Sequence, residues 1–318
     1  MQRPVRGHCR RGTKTDRKMK RHIFICASLA LAMAVPMACS QDDNAGTGPA
    51  SPADAKHTPM TFSVAHPADR TRATDAGFET GDTIGLFVAA ADAPLEIGGN
   101  LVNNEPLTLA AGTWTPRRSL YWDDGTYNAY AYYPYTTPVS SIDNMPFSVS
   151  RNQGAMATDR MDGYEASDLL YARTSGVSAS ASPIRLTFRH IMSKITIRLI
   201  KGEDFDGEMP TDAKVYVHNT VPTATIDLGV GVATRDVYGK RATITAKQQG
   251  AYTYSAIIVP QRIDNRTPLI EVIMKGVSYI FESKFQFKPG TEHLVNLVIS
   301  DNPDKVKIEV GGEIQDWQ

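Results

Sequence analysis

The chain has 318 residues, of which 42% are hydrophobic, enough to bury a substantial core and to build about two domains. Its formal charge of zero hides an asymmetry: nine of the 34 bases but one of the 34 acids fall in residues 1–38, leaving 25 bases and 33 acids behind them. That remainder is net about −8 and shows no basic footprint, which argues against nucleic acid as a partner.

The first element is an address. Lys20-Arg21-His22 precedes an uncharged run, Ile23 to Ala38, that ends in a small residue, the pattern of a secretory signal. The run is shorter than the roughly 20 residues a membrane-spanning helix needs. It closes on Pro36-Met37-Ala38-Cys39, which resembles the bacterial lipobox. The resemblance implies cleavage before Cys39, acylation of its thiol and amine, and an outer-membrane lipoprotein. Each buried methylene of such an anchor adds about 0.8 kcal/mol of membrane affinity. Met19 opens the charged region while residues 1–18 fit no signal, so 1–18 is expected to be a mis-assigned leader and 19–38 the signal peptide. Cys9 and Cys26 leave with the leader, so no disulfide is expected. Residues 39–57 are small, acidic and Pro-containing without periodicity, the composition of a tether. The acids just after Cys39 resemble a surface-export signal of Bacteroidales lipoproteins.

From Met60 onward short alternating runs recur between Gly, Pro, Asn and Asp, and no helical period is sustained. The expected strands are 61–65, 83–89, 107–110, 127–133, 169–172, 184–199, 214–217, 224–228, 242–246, 252–259, 269–274, 277–287, 294–299 and 305–310. Many short strands with frequent turns indicate an all-β sandwich or barrel. Tyr127, Tyr130, Tyr132, Tyr133 and Tyr135 suggest a strand packing its rings on one side and ending at Pro134. In 184–199 the apolar parity slips between Arg189 and Lys194, which predicts a bulge or bend near His190–Ser193 that restores the core face. Thr174–Ser182 is small and polar and Pro183 follows, so a domain boundary is expected there, giving domains of 58–182 and 183–318.

No catalytic or metal-binding constellation stands out. His66, His190, His218 and His293 are scattered, and no metal is expected. His190 shares parity with Phe188 and is read as a core or edge histidine. Gly202–Glu208 lacks the ligand alternation of a calcium loop and is read as an acidic turn. Asp123-Asp124-Gly125 carries the hairpin signal. No nucleophile elbow and no phosphate-cradling loop are present, so neither an enzyme nor a cofactor is expected. Trp114, Tyr121 and Trp122 could offer faces to a sugar, but packing of the first domain is favoured.

Several segments in order resemble the fimbrillin family of type V pili of Bacteroidales: Thr71-Arg72-Ala73-Thr74, Phe78–Phe87 (FETGDTIGLF), Tyr127–Tyr135, Asp168–Ala172 (DLLYA), Leu186–His190 (LTFRH), Ile257–Gln261 (IIVPQ), Lys288–His293 (KPGTEH) and Ile314–Trp317 (IQDW). The resemblance spans nearly all of 60–318. It implies two tandem transthyretin-like β-sandwich domains and a cell-surface fimbrial subunit assembled by strand addition. An arginine-specific protease would cut after Arg70 or Arg72, both also explicable as loop charges, and displace a first strand of Thr61, Phe62, Ser63, Val64 and Ala65. The vacated groove would accept a strand from another subunit. The candidate donor is the chain end, Lys305, Val306, Lys307, Ile308, Glu309 and Val310 with Ile314 and Trp317, unless this end is the last strand of its own sandwich. Expected partners are other fimbrial subunits and the outer membrane through the lipid. The alternative is an adhesive surface lipoprotein that takes host or bacterial glycans or proteins and does not polymerise.

Overall fold

The computed structural model describes residues 58–67, 77–302, 307–309 and 314–317. The signal, Cys39, the tether, Arg70, Arg72, Lys305, Val306 and Val310 lie outside the described residues. Among those described, the structure is strands, turns and short 3-10 segments, with no α-helix, and no helix is long and apolar enough to cross a membrane.

The strands in order are β1 (Phe62–Ala65), β2 (Thr83–Ala90), β3 (Val102–Ala110), β4 (Thr113–Pro116), β5 (Thr126–Tyr133), β6 (Met145–Ser148), β7 (Leu170–Ser178), β8 (Ile184–Thr187), β9 (Arg189–His190) and β10 (Ser193–Lys201). There follow β11 (Lys214–Thr220), β12 (Thr223–Asp227), β13 (Val232–Arg235), β14 (Ala242–Thr245), β15 (Lys247–Gly250), β16 (Thr253–Ile258), β17 (Gln261–Met274), β18 (Val277–Phe287), β19 (Thr291–Ile299), β20 (Lys307–Glu309) and β21 (Ile314–Asp316).

One sheet runs β4-β3-β2-β5-β7-β9, and β1 lies parallel to β8 beside it. A second runs β15-β16-β10-β19-β20, with β21 on the same edge of β19. The others are β14-β11-β17-β18 and β13-β12-β6. Most pairs are antiparallel, while β10 and β19 run parallel.

Two apolar clusters result. Ile84, Leu86, Val88, Ala129, Ala131 and Leu170 point into the first, and Phe87, Ala89, Tyr130, Tyr132 and Tyr171 point from the same strands into the second. A sheet covered on both faces reads as a continuous apolar run, which explains the sequence TIGLFVAA. The tyrosines of β5 therefore do not share a side: Tyr127 and Tyr133 belong to the first cluster, Tyr130 and Tyr132 to the second.

The slip in 184–199 has the same origin. The chain does not bulge within one strand; it passes through three, pairing β8 with β1, β9 with β7, and β10 with β16 and β19. Ile184, Leu186 and Phe188 fill the first cluster, and Ile195, Ile197 and Leu199 fill the second. The parity change thus serves two cores rather than restoring one. The bend falls at the buried pair Ile191-Met192, fastened by Ile191 N–H to Leu169 O (3.2 Å) and Gly290 N–H to Met192 O (2.7 Å). Thr174–Ser178, read as the start of a polar linker, extends β7 along β5. Asp123-Asp124-Gly125 turns the chain into β5, but it is not a hairpin, because 120–122 pairs with 58–60 instead.

Two buried glutamines tie distant segments by imitating backbone. The Gln261 amide accepts from Val221 N–H (2.9 Å) and donates to Val221 O (3.0 Å) and Val259 O (3.0 Å). It lies directly after Pro260, the end of the IIVPQ segment. Gln153 accepts from Ile257 N–H (2.8 Å) and donates to Ile257 O (2.7 Å).

Candidate functional site

Residues 58–66 form a seam between two edges. On one side Met60 N–H donates to Leu120 O (2.9 Å) and Trp122 N–H to Thr58 O (3.0 Å). On the other, Ile184 N–H donates to Thr61 O (2.8 Å) and Phe188 N–H to Ala65 O (3.0 Å), with Phe62 opposite Ile184 and Val64 opposite Leu186. Alternation decides which side chains enter. Met60 and His66 are buried, Phe62 and Val64 are partly buried against the first cluster, and Thr61 and Ser63 are exposed. The expected first strand thus sits as one short strand whose even-numbered side chains occupy a groove walled by Leu120, Trp122, Ile184, Leu186 and Phe188.

Trp114 and Trp122 are buried in that cluster while Tyr121 is half exposed, so the three do not form an open aromatic platform. The rings instead pack edge to face: Phe78 meets His66 at 4.7 Å, Trp114 at 5.1 Å, Tyr133 at 5.3 Å and Phe188 at 5.4 Å between centroids.

Beside His66 opens a mixed polar cavity lined by Phe78, Asp82, Tyr133, Asp168, Glu165 and Lys247. The Tyr133 hydroxyl donates to Asp82 (3.3 Å), and burial, then the Asp82 carboxylate, pushes this phenol above its ordinary range. Lys247 pairs with Asp162 at 2.5 Å and lies over the Tyr164 ring at 5.5 Å. Among the described residues no group of three His, Cys, Asp or Glu is placed to hold a metal ion.

The chain end folds onto its own protomer. β20 pairs with Asn296–Val298 and β21 with Thr291–His293, both antiparallel on the outer edge of β19. This places the backbones of Lys307, Ile308, Glu309 and Ile314. Trp317 is buried, its N–H donates to Gly290 O (2.9 Å), and its indole lies flat on the His190 ring at 3.7 Å and 7°. Lys194, paired with Glu292 at 3.5 Å, stands 5.7 Å from the centre of the indole.

His190 is the residue that sequence reasoning undervalued. It is buried as expected, but its Nδ1 meets Asp168 at 2.8 Å, its face carries Trp317, and its edge meets His66 at 6.1 Å between centroids. Asp168 opens the DLLYA segment, His190 closes LTFRH, and Trp317 closes IQDW. Each was noticed singly; nothing local in the chain announces that they meet.

His293, opposite Ile314 of β21, supplies a pH test. It is buried near Phe285 and Phe287, and its Nε2 accepts from Lys288 N–H (3.2 Å). Burial first, and the Lys288 ammonium second, hold its imidazole below the ordinary 6.5. The folded state therefore binds fewer protons than the unfolded one, so stability is present above about pH 6.5 and falls as pH drops below it. Urea midpoints at pH 7.5 and 5.5 should differ more for the wild type than for His293→Gln; equal differences would remove this assignment.

A family model described as fimbrillin-like matches residues 71–317. A Bacteroides uniformis protein provisionally named fimbrium subunit Fim1C is 25% identical over 315 residues, covering 94% of this chain and 96% of the relative. A Bacteroides ovatus protein provisionally named a fimbrium tip subunit is 28% identical over 172 residues, covering 48% of this chain and 31% of that protein. A crystal structure provisionally described as a cell adhesion protein of Bacteroides ovatus superposes with a TM-score of 0.64 at 20% identity, covering 82% of this chain and 97% of that one. One from Bacteroides uniformis gives 0.63 at 20% identity, covering 82% and 98%. With nearly the whole β body matched, this chain belongs to the fimbrillin-like family.

Proposed function

We propose that the chain is a structural subunit of a cell-surface fimbria, exported as an outer-membrane lipoprotein acylated at Cys39 and joined to its neighbours by strand addition. The observation that carries this reading is the seam at 58–66. It is a single short stretch, bonded to 120–122 at one end and paired along Phe62–Ala65 with β8, with alternate side chains in apolar seats. Strand addition needs such a groove: open backbone groups give affinity and alternate pockets give specificity. The names of the relatives, a fimbrium subunit and a fimbrium tip subunit, agree with it.

In this reading a cut after Arg70 or Arg72 frees residues 58–66 together with the lipid. A neighbour's strand then lays apolar side chains into the seats of Met60, Phe62 and Val64. The candidate donor is the chain end, Lys305–Val310 with Ile314–Trp317, of which the described strands β20 (Lys307–Glu309) and β21 (Ile314–Asp316) pair with β19. The two cores would belong to two transthyretin-like domains, with the chain passing between them at Ile191-Met192 and not at 182/183, because Ile184, Leu186 and Phe188 fill the first core.

The test is digestion of the soluble protein, beginning after Cys39, with an arginine-specific protease, followed by an unboiled denaturing gel and mass spectrometry of the new N-terminus. A ladder of detergent-resistant oligomers with the cut after Arg70 or Arg72 is expected. A cut protein that stays monomeric would remove the polymerising role.

A further inference from the structure

We propose that His190 couples the two ends of the chain, so that loss of the 58–66 segment loosens the seat of Trp317 and with it the hold of β21 on β19. The proposal deepens the strand-addition reading and rests on it for its biological sense, though not for its physics.

Three contacts converge on one buried imidazole. Asp168, at the start of β7, fixes Nδ1 at 2.8 Å. Trp317 covers one face at 3.7 Å. His66, the last residue of the seam, stands perpendicular to it at 6.1 Å between centroids and is itself perpendicular to Phe78 at 4.7 Å. The His190 Nε2 is buried and makes no hydrogen bond, so no polar partner holds that side of the ring. Cavity space adjoins both His66 and Asp168, so water can reach His190 once His66 leaves.

The seat of Trp317 depends on His190 in a second way. Its N–H is bonded to Gly290 O, and a side chain at Gly290 would stand 3.0 Å from His190 O. The turn that holds the end of the chain is therefore packed on the His190 backbone as well as its ring. Removing His66 withdraws an aromatic contact and admits water to the imidazole beneath the indole. Energy lost at the His190–Trp317 stack is lost to β21, whose pairing with β19 spans Thr291 to His293. The consequence is order: the chain end is held in cis while the first strand is in place, and it becomes available once that strand has gone. A subunit so built would not offer its donor strand before its own groove is open.

Coupling of this kind is reciprocal, which makes it testable without any protease. Hydrogen exchange is measured on the full chain carrying His66→Ala or Trp317→Ala. In His66→Ala the amides of Gln315, Asp316 and Trp317 should exchange faster by the worth of one aromatic pair, roughly two- to tenfold. In Trp317→Ala the amides of Ile184 and Phe188, which bond the seam, should speed up by the same factor. Each rate is taken relative to amides of β2 and β5, so a general loss of stability cancels. A relative change of one in either variant overturns the coupling. Ladder formation on the protease-treated variants separates the two ideas. A ladder with no change in exchange sinks only the coupling, and altered exchange without a ladder sinks only the donation.

Discussion

Removing residues 58–66 from the folded protein is expected to lower its melting temperature by roughly 5–10 °C and to leave a groove that binds a peptide of the same sequence. Met60 is buried, and Phe62 and Val64 are mostly covered, so together they withdraw apolar surface worth about 3–6 kcal/mol. The backbone hydrogen bonds to Leu120, Trp122, Ile184 and Phe188 go with them, as does the parallel ladder between Phe62–Ala65 and Ile184–Thr187. The conformational entropy of ordering the segment offsets part of this gain, so the net loss on removal is smaller than the burial alone would suggest. The peptide should recover most of that loss, because a ligand at 100 times its Kd stabilises by about 2.7 kcal/mol. It should also suppress the ladder by occupying the groove. A peptide with Phe62 and Val64 replaced by Asp should do neither, since both positions face the apolar cluster. The readout is thermal unfolding of the cut, separated protein with and without each peptide. Equal melting curves for cut and uncut protein would show that the seam is not part of the stable fold, and recovery by the Asp peptide would show that the binding is not side-chain specific.

Strand positions were legible where one face alone is buried. β19 alternates buried and half-buried through nine residues, of which the expected strand 294–299 covers the last six, and the expected strand 277–287 matches β18 end for end. The short strands β4, β6, β13 and β15 carry no such signal. Each has four residues, too few to establish a period, and Lys247-Gln248-Gln249-Gly250 is polar throughout. Double-faced burial misled in two places. The rings of β5 were assigned to one side because alternation was expected to mean one core and one solvent face. The bend expected near His190–Ser193 is present at Ile191-Met192, but it does not restore one core face; it marks where the chain leaves one core for the other. Of the candidate site, Phe62 and Val64 were placed on one face by alternation and the structure puts both against the first cluster. His66 was missed because its alternation phase runs past the strand end into a stretch that reads as loop.

Gln153 is the position where a single substitution away from the groove should cost most. It is fully buried within a polar excursion between β6 and β7, and no sequence pattern distinguishes it, because its partner lies 104 positions away. β15 pairs with β16 only as far as Ser255, and beyond that point the Gln153 amide takes the place of the next residue of β15. It accepts from Ile257 N–H and donates to Ile257 O. Gln153 also fastens its own backbone, with its N–H donating to Thr245 O (3.0 Å) and its carbonyl accepting from Tyr164 N–H (3.0 Å). Gln153→Leu keeps the volume and strands two buried backbone groups, each costing about 1–3 kcal/mol. The expected total of about 2–5 kcal/mol corresponds to roughly 5–15 °C. Gln153→Glu keeps an acceptor for Ile257 N–H but sets an oxygen against Ile257 O, so it should fare no better at neutral pH. Chemical denaturation of the two variants reads this directly, and a Leu variant as stable as the wild type would mean that shape rather than hydrogen bonding holds the excursion. The effect reaches the candidate site because the same excursion carries Tyr164 and Glu165 to the cavity beside His66. Gln153 therefore braces one side of the place where the seam ends, and its loss should raise exchange at the His66 end of the seam more than at the Met60 end.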